Sequence, residues 1–136
     1  PLRFVQSWIV PRKRGLTPSY GSASGFDRQD KWAYMVGDAG AAGEDAQVQV
    51  HQDIHMYAAE LSPTKCLEFV VRDGRQAYVL VLEGEVTINK ASLSARDACE
   101  VKGPLTLDFA AGAEGAHVLL YEMALSSDGR ADAVLP

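Results

Sequence analysis

Two of the three histidines in this chain lie in one short segment together with a carboxylate. His51, Asp53 and His55 occupy alternate positions, followed by Tyr57. In a single β-strand alternate side chains project from the same face, so these four groups would lie together as a candidate ligand-binding set. Imidazole and carboxylate groups are suitable ligands for Fe, Zn or Mn. One hypothesis is therefore a divalent transition-metal site formed by His51, His55 and His117.

The residues between these polar groups favour a different interpretation. Val48, Val50, Ile54 and Met56 alternate with the polar set, and residues 46–61 together predict one long strand. We expect the apolar set to face the core and the polar set to face solvent or another domain. On this interpretation no metal or other cofactor is expected, and the four polar residues are candidates for contact with a partner surface or a ligand at the edge of a pocket.

The rest of the chain has the pattern of an all-β protein. Short β-rich runs are separated by Gly, Asp, Asn and Ser, and no long amphipathic helix is indicated. A length of 136 residues with 47% hydrophobic residues suits one domain with a substantial core. We predict a β-barrel or jelly roll over residues 29–125, an N-terminal strand and extended arm in residues 1–28, and a flexible tail in residues 126–136.

The strands themselves are predicted from runs of apolar and β-branched residues. Besides residues 46–61, these runs cover residues 3–10, 32–36, 76–83, 85–89, 98–101, 105–109 and 117–125. Residues 82–85 and 89–92 are predicted as hairpin turns. The glycines between residues 37 and 43 have the spacing GxxGxxG, but a strand follows them instead of a helix, so we interpret them as a loop and not as a nucleotide site.

Charge is spread unevenly along the chain. Residues 1–31 contain six Lys and Arg against two Asp and Glu, whereas the remainder contains seven against sixteen. The basic run at residues 12–14 is too short, and lacks a second cluster, to predict nucleic-acid binding. Cys66 and Cys99 fit neither a zinc motif nor a disulfide framework, and we expect reduced thiols.

Nothing in the chain indicates a membrane span or an export signal, so a cytoplasmic protein is expected. The chain starts at Pro1 without a methionine, directly on a strand-like run, which suggests a trimmed or partial protein. A barrel of this size can also enclose a small apolar ligand without any metal.

Several motifs, taken in order, resemble the second half of pirin-like bicupins of the bacterial quercetinase type. Residues 4–11 (Phe-Val-Gln-Ser-Trp-Ile-Val-Pro), 15–20 (Gly-Leu-Thr-Pro-Ser-Tyr) and 26–27 (Phe-Asp) are similar to the segment that opens that half. Residues 51–53 with 57–59 look like its long strand, residues 74–79 with 84–89 like its central hairpin, and residues 118–122 like its closing strand. The similarity spans nearly all of residues 2–125.

This resemblance implies a cupin domain, a β-jelly roll also called a double-stranded β-helix, whose usual partner is an N-terminal cupin. In the family a divalent metal, typically iron, is held by histidines and a glutamate of that N-terminal cupin and supports dioxygenase activity on flavonols. The family's metal motif is a His-x-His pair with a nearby glutamate and a later histidine. This chain has only His51 and His55, four positions apart, with Glu60.

Two positions depart from the family pattern. Asn89-Lys90 stands where Asn-Gly is usual, and Arg96-Asp97-Ala98 stands where Gly-Asp-Gly is usual. Lysine is unfavourable at a type I′ turn position because that position requires a positive φ. We therefore expect a different or longer turn after Ile88.

Two functions follow from these observations. The first is a non-catalytic cupin module, structural or ligand-binding, that associates with itself or with an N-terminal cupin partner. The second is a metal-dependent small-molecule dioxygenase or isomerase that uses His51, His55 and His117.

Overall fold

The computed structural model describes residues 2–41 and 46–125, and its regular elements are all β-strands. The strands are β1 (Ala33–Asp38), β2 (Val48–Val50), β3 (Ile54–Leu61), β4 (Cys66–Val71), β5 (Arg75–Ile88), β6 (Ala91–Ser94), β7 (Ala98–Lys102) and β8 (Leu105–Ala124). The predicted all-β class is confirmed. The predicted flexible tail, residues 126–136, and part of the predicted glycine loop lie outside the described residues.

The strands form a single sheet that two long strands hold together. The order is β2-β1-β3-β8-β5-β6, with β4 also pairing with β8 and β7 also pairing with β5. The first half of β8 is antiparallel to β4, and its second half lies between β3 and β5. Because β5 and β8 each belong to both halves of the sheet, the sheet folds over on itself and encloses a core.

The inner face of the sheet and part of its outer face are buried. The larger apolar cluster lies inside the barrel and includes Phe109, Val79 and Leu120, each with no exposed surface. A smaller cluster lies on the outer face, where Ile54 and Leu119 pack with partly buried neighbours. Transfer of this much apolar surface out of water is the main stabilising contribution to such a fold.

The N-terminal arm crosses the outer face of the sheet. Ser7 Oγ and Tyr121 Oη are hydrogen-bonded at 2.6 Å. Ile9 packs against the outer cluster, and Gln52 Nε2 donates to the carbonyl oxygen of Val10 at 2.8 Å. The predicted strand over residues 3–10 is wrong, since side chains and not a backbone ladder hold this segment to the barrel.

The predicted strand over residues 46–61 is also wrong as a single element. β2 ends at Val50 and β3 begins at Ile54, with bends at the three residues between them. Local hydrogen bonds hold the break: the Gln52 side chain accepts from the Asp53 N–H, and the Gln52 carbonyl accepts from the Ile54 N–H. The polar residues before and after the break therefore do not share one strand face.

Other predicted boundaries change because the long strands bend instead of ending. The predicted turn at residues 82–85 is wrong, because β5 continues through it with register shifts near Glu83 and Gly84. The predicted strands over residues 105–109 and 117–125 are parts of β8. β4 was not predicted, and β6 begins at Ala91, within the turn predicted over residues 89–92. Both are short strands in which at least half of the side chains are exposed.

The two departures from the family pattern lie in tight turns. Asn89 has a φ of 53°, and the residue in the left-handed region at the next turn is Arg96, with a φ of 78°. Lys90 does not adopt a positive φ, so the expectation of a different turn after Ile88 is confirmed. Arg96 occupies the position where the family usually has glycine, which tolerates this conformation without strain.

We expect Arg96→Gly to raise the free energy of unfolding by about 0.5–1 kcal/mol, because it removes the cost of a positive φ on a residue with a Cβ. Urea unfolding of both proteins measures the change. As a control, Arg72→Gly is at an exposed position without a positive φ and is expected to be neutral or destabilising. A less stable Arg96→Gly protein would contradict the interpretation.

The two cysteines are free, as the sequence predicts. Cys66 is exposed and Cys99 is half-buried, and burial raises the pKa of the Cys99 thiol. Among the described residues there is no helix of the length and apolar character needed to cross a membrane.

Candidate functional site

The two faces of β3 are the reverse of those predicted. Tyr57, Ala59 and Leu61 face the barrel core, whereas Ile54 and Met56 belong to the outer cluster under the arm. The prediction that the histidine face points to solvent or a partner was therefore wrong for β3. His55 lies on the inner face, and its side chain is only 11% exposed.

Charged and aromatic side chains meet at one end of the barrel in a group that we call the barrel-mouth cluster. Its members are Tyr34, Asp53, His55, Arg75 and Glu122. Register explains how they meet, because Glu122 of β8 is opposite His55 of β3 and is two residues from the position opposite Arg75 on β5. Four neighbouring strands, β1, β3, β8 and β5, together with the bend before β3, therefore supply the cluster.

Arg75 is the centre of this cluster. Its Nη1 and Nη2 atoms donate to both oxygens of Asp53 at 2.6 and 2.9 Å. Its Nε and Nη2 atoms donate to both oxygens of Glu122 at 2.6 and 2.7 Å. One guanidinium thus bonds all four carboxylate oxygens, a bidentate arrangement that is among the strongest polar contacts in proteins.

His55 lies beside this ion-pair group. Tyr34 Oη is 2.7 Å from His55 Nδ1, and Asp53 Oδ1 is 3.5 Å from His55 Nε2. Tyr34 also stacks on Tyr57, with ring centroids 4.9 Å apart. Both imidazole nitrogens are therefore directed at protein groups, and the aromatic rings connect the cluster to the apolar core.

The electrostatics of the cluster favour the charged state of its ion pairs. Hydrogen bonds from Arg75 lower the pKa of Asp53, although partial burial opposes the shift. Hydrogen bonds to Glu122 and Asp53 raise the pKa of Arg75. Arg75 and Asp53 therefore remain charged across the physiological pH range.

These residues do not fit a divalent metal. A metal at Asp53 and Glu122 would have to displace a guanidinium that already occupies every carboxylate oxygen. Across residues 2–41 and 46–125, no three His, Cys, Asp or Glu side chains are arranged to hold a metal ion. The barrel-mouth cluster is therefore a group of ion pairs centred on Arg75.

The predicted polar residues are brought together only in part. Asp53, His55 and Tyr57 lie at or next to the barrel mouth, whereas His51 lies in the bend before β3. His117 is on the outer face, 4.0 Å from Glu60. The described structure therefore separates the three histidines of the metal hypothesis between a bend, the inner face and the outer face.

A cavity of about 900 Å³ lies between the arm and the outer face of the sheet. Met35, Met56 and Leu119 contribute to its apolar wall, and Arg28 and Arg96 are among the charged residues that line it. His117 also lines it, and burial lowers the pKa of this histidine. This cavity is separate from the barrel mouth because it is on the opposite face of the sheet.

Arg75 and Glu122 were not predicted as site residues, although the sequence contains a signal for them. Residues 75, 77, 79 and 81 alternate, and Ala77, Val79 and Val81 are all fully buried inside the barrel. The same alternation places Arg75 on the inner face, where a charge requires carboxylate partners. Its partners lie 22 and 47 positions away, so sequence spacing alone does not identify them.

The chain is similar in sequence to proteins described as quercetin 2,3-dioxygenases. A putative enzyme of this name from Pseudomonas aeruginosa is 30% identical over 90% of this chain and 52% of its own length. Quercetin 2,3-dioxygenase from Escherichia coli is 27% identical over 90% of this chain and 51% of its own length. The chain therefore spans about half the length of the curated relatives it matches.

Solved structures show the same fold. The pirin YhhW from Escherichia coli superimposes with a TM-score of 0.74 at 24% identity, covering 88% of this chain and 49% of YhhW. YhhW has also been solved in complex with nickel(II). The family model described as the quercetinase C-terminal cupin domain matches residues 39–123. The predicted cupin fold and the predicted family are confirmed: this chain belongs to the quercetinase C-terminal cupin domain family.

Proposed function

We propose that this chain is a non-catalytic cupin module that associates, through its N-terminal arm, with a second copy of itself. The observation that carries the proposal is the arm's large, exposed apolar surface. We define this surface, the arm face, by Leu2, Phe4, Trp8, Val10 and Tyr20, which are 56–92% exposed. Several large apolar side chains exposed along one segment are typical of a protein interface.

Trp8 is the central residue of the arm face. Its neighbours Ser7 and Ile9 contact the barrel, so the arm is fixed while the indole remains 89% exposed. Tryptophan is enriched among the residues that dominate binding energy at interfaces. A fixed segment also loses less conformational entropy on association than a free one.

Charge supports a second copy as the occupant. The segment that carries the arm face is basic, whereas residues 32–136 contain sixteen Asp and Glu against seven Lys and Arg. Arg3, Arg12 and Arg28 already pair with carboxylates of their own chain. Lys13 and Arg14 form no ion pair within the described residues, so this part of the arm is electrostatically complementary to the acidic body of another copy. A self-complementary contact of this kind gives a closed two-fold dimer.

The barrel-mouth cluster is the reason for proposing a non-catalytic role. Arg75 neutralises the two carboxylates that would otherwise be available for acid–base or metal chemistry. Relatives named quercetin 2,3-dioxygenase are about twice the length of this chain. We propose that metal chemistry in such two-half proteins is located in the other half, as the family resemblance implies.

We expect the chain to elute as a dimer of about twice 14.7 kDa at high concentration and to dissociate on dilution. Trp8→Ser is expected to shift the equilibrium to the monomer by about 2 kcal/mol or more, the usual effect of removing a dominant interface residue. Size-exclusion chromatography with light scattering measures both proteins. Added salt is expected to weaken the dimer, because the proposed contact joins opposite charges.

The matched control is Val70→Ser, which removes an exposed apolar side chain from β4, away from the arm. This variant should remain a dimer. A strict monomer at the highest concentration, or a dimer that Trp8→Ser leaves intact, would contradict association through the arm face.

A further inference from the structure

The cavity beneath the arm has the composition of a binding site for an amphipathic molecule. Its wall is apolar and belongs to the outer face of the sheet, with Met35, Met56, Ala58 and Leu119 among its residues. A volume of about 900 Å³ is within the range of small-molecule pockets. An apolar wall of this size favours an aliphatic or aromatic body over a sugar or a nucleotide.

The charged residues that line the cavity are mostly cationic. They comprise three arginines, Arg3, Arg28 and Arg96, against one carboxylate, Glu83. This balance is opposite to that of the whole chain, which has a net charge of −5. A cavity with an apolar wall and cationic lining groups is complementary to a molecule with an apolar body and an anionic head.

The three arginines differ in whether they already form an ion pair within the chain. Arg3 pairs with Glu83, and Arg28 pairs with Glu60 at 2.5 Å. Arg96 makes no side-chain ion pair within the described residues, and its backbone N–H is bonded to the carbonyl of Val81 at 2.7 Å. Arg96 is therefore the cation available for a ligand's anionic group, fixed by its turn at the edge of the cavity.

We propose that the cavity beneath the arm binds an amphipathic carboxylate, with its apolar body against the outer face of the sheet and its carboxylate at Arg96. Guanidinium binds a carboxylate in bidentate geometry, which a neutral alcohol of the same length cannot reproduce. The site is on the opposite face of the sheet from the barrel mouth, and Leu2 and Phe4 belong both to its lining and to the arm face.

Decanoate is a suitable probe, with decanol as its uncharged counterpart. Isothermal titration calorimetry of the full chain is expected to show saturable one-to-one binding of decanoate. Arg96→Gln should weaken it roughly tenfold, the factor expected for one charged hydrogen-bonded contact. Arg72→Gln removes an exposed arginine that does not line the cavity and should leave the affinity unchanged.

The location of the probe is tested by filling the cavity. Ala58 is 3% exposed and lines the cavity, so Ala58→Met is expected to abolish binding. A thermal unfolding scan confirms that this variant is folded; if it is not, Leu119→Phe fills the same wall. Trp8 belongs to the arm face but does not line the cavity. Trp8→Ser should therefore bind decanoate with the affinity of the wild type.

His117 provides a second readout. It lines the cavity together with Arg3, Arg28 and Glu83, and Glu60 is 4.0 Å away. A carboxylate bound nearby should raise the pKa of His117 in an NMR titration, whereas decanol should not. The proposal is overturned if decanoate does not bind to the wild-type chain. It is also overturned if either Arg96→Gln or the cavity-filling variant binds decanoate as tightly as the wild type does.

Discussion

Replacing Arg75 with alanine is expected to lower the free energy of unfolding by about 3 kcal/mol, because it leaves two carboxylates at the barrel mouth without their common partner. Glu122 is 13% exposed and Arg75 is 20% exposed, so solvent replaces these bonds only in part. Arg75→Lys should recover a fraction of the loss, since an ammonium group cannot bond four oxygens with this geometry. Urea unfolding at pH 7 measures both variants.

The effect of Arg75→Ala should also depend on pH. In the folded protein the pKa of Asp53 lies below its ordinary value of 3.8, because Arg75 donates hydrogen bonds to it. The stability that this pair contributes is therefore complete above pH 3.8 and is lost as the pH falls through the lower, folded pKa. The difference in the free energy of unfolding between wild type and Arg75→Ala should become smaller as the pH falls through that range.

Arg72→Ala is the matched control for Arg75, because Arg72 is an exposed arginine three residues earlier. It should change stability by less than about 0.5 kcal/mol at any pH. If Arg75→Ala were as mild as Arg72→Ala, the barrel mouth would not be held by these ion pairs.

A single methyl group at Gly84 is expected to destabilise the barrel by about 3 kcal/mol or more. Gly84 has a φ of 73°, and a Cβ built on it would be 2.1 Å from the carbonyl oxygen of Gly115. The obstacle is backbone at the point where β5 and β8 bend together, so a rotamer change cannot relieve it. Gly84→Ala should therefore unfold at much lower temperature or fail to fold.

Gly74→Ala separates the two causes of this effect. Gly74 has a nearly equal φ of 71°, but no atom of the described residues lies within 4 Å of a Cβ built there. It should cost only about 1 kcal/mol, the penalty for a positive φ alone. Equal losses at the two glycines, measured by thermal unfolding, would contradict the role of close backbone approach at the bend.

The fold could be predicted because strand periodicity and the order of the family motifs agree over most of the chain. The faces of β3 could not, because apolar residues line both of them: Ile54 and Met56 contact the outer cluster, while Tyr57 and Ala59 contact the barrel core. Alternation reports which residues share a face, but it does not report which face is inside when both are covered.

For a related reason, the sequence predicted only part of the candidate site. Asp53 and His55 were identified from residue type, but their partner Arg75 comes from another strand and is brought to them only by the sheet register. The break between Val50 and Ile54 depends on hydrogen bonds of Gln52, which alternation does not reveal. The pairing of strands that are distant in sequence therefore determines the chemistry of the site. It places Arg75 beside Asp53, so that this possible metal ligand forms an ion pair instead.

We propose that Arg75 occupies the carboxylates at the barrel mouth and that this cupin domain holds no metal of its own. Titration with Ni(II) and Fe(II), followed by calorimetry, tests it most directly on the wild-type chain and on His55→Ala. We expect no saturable one-to-one binding that depends on His55. One tightly bound metal per chain, lost in His55→Ala, would contradict it.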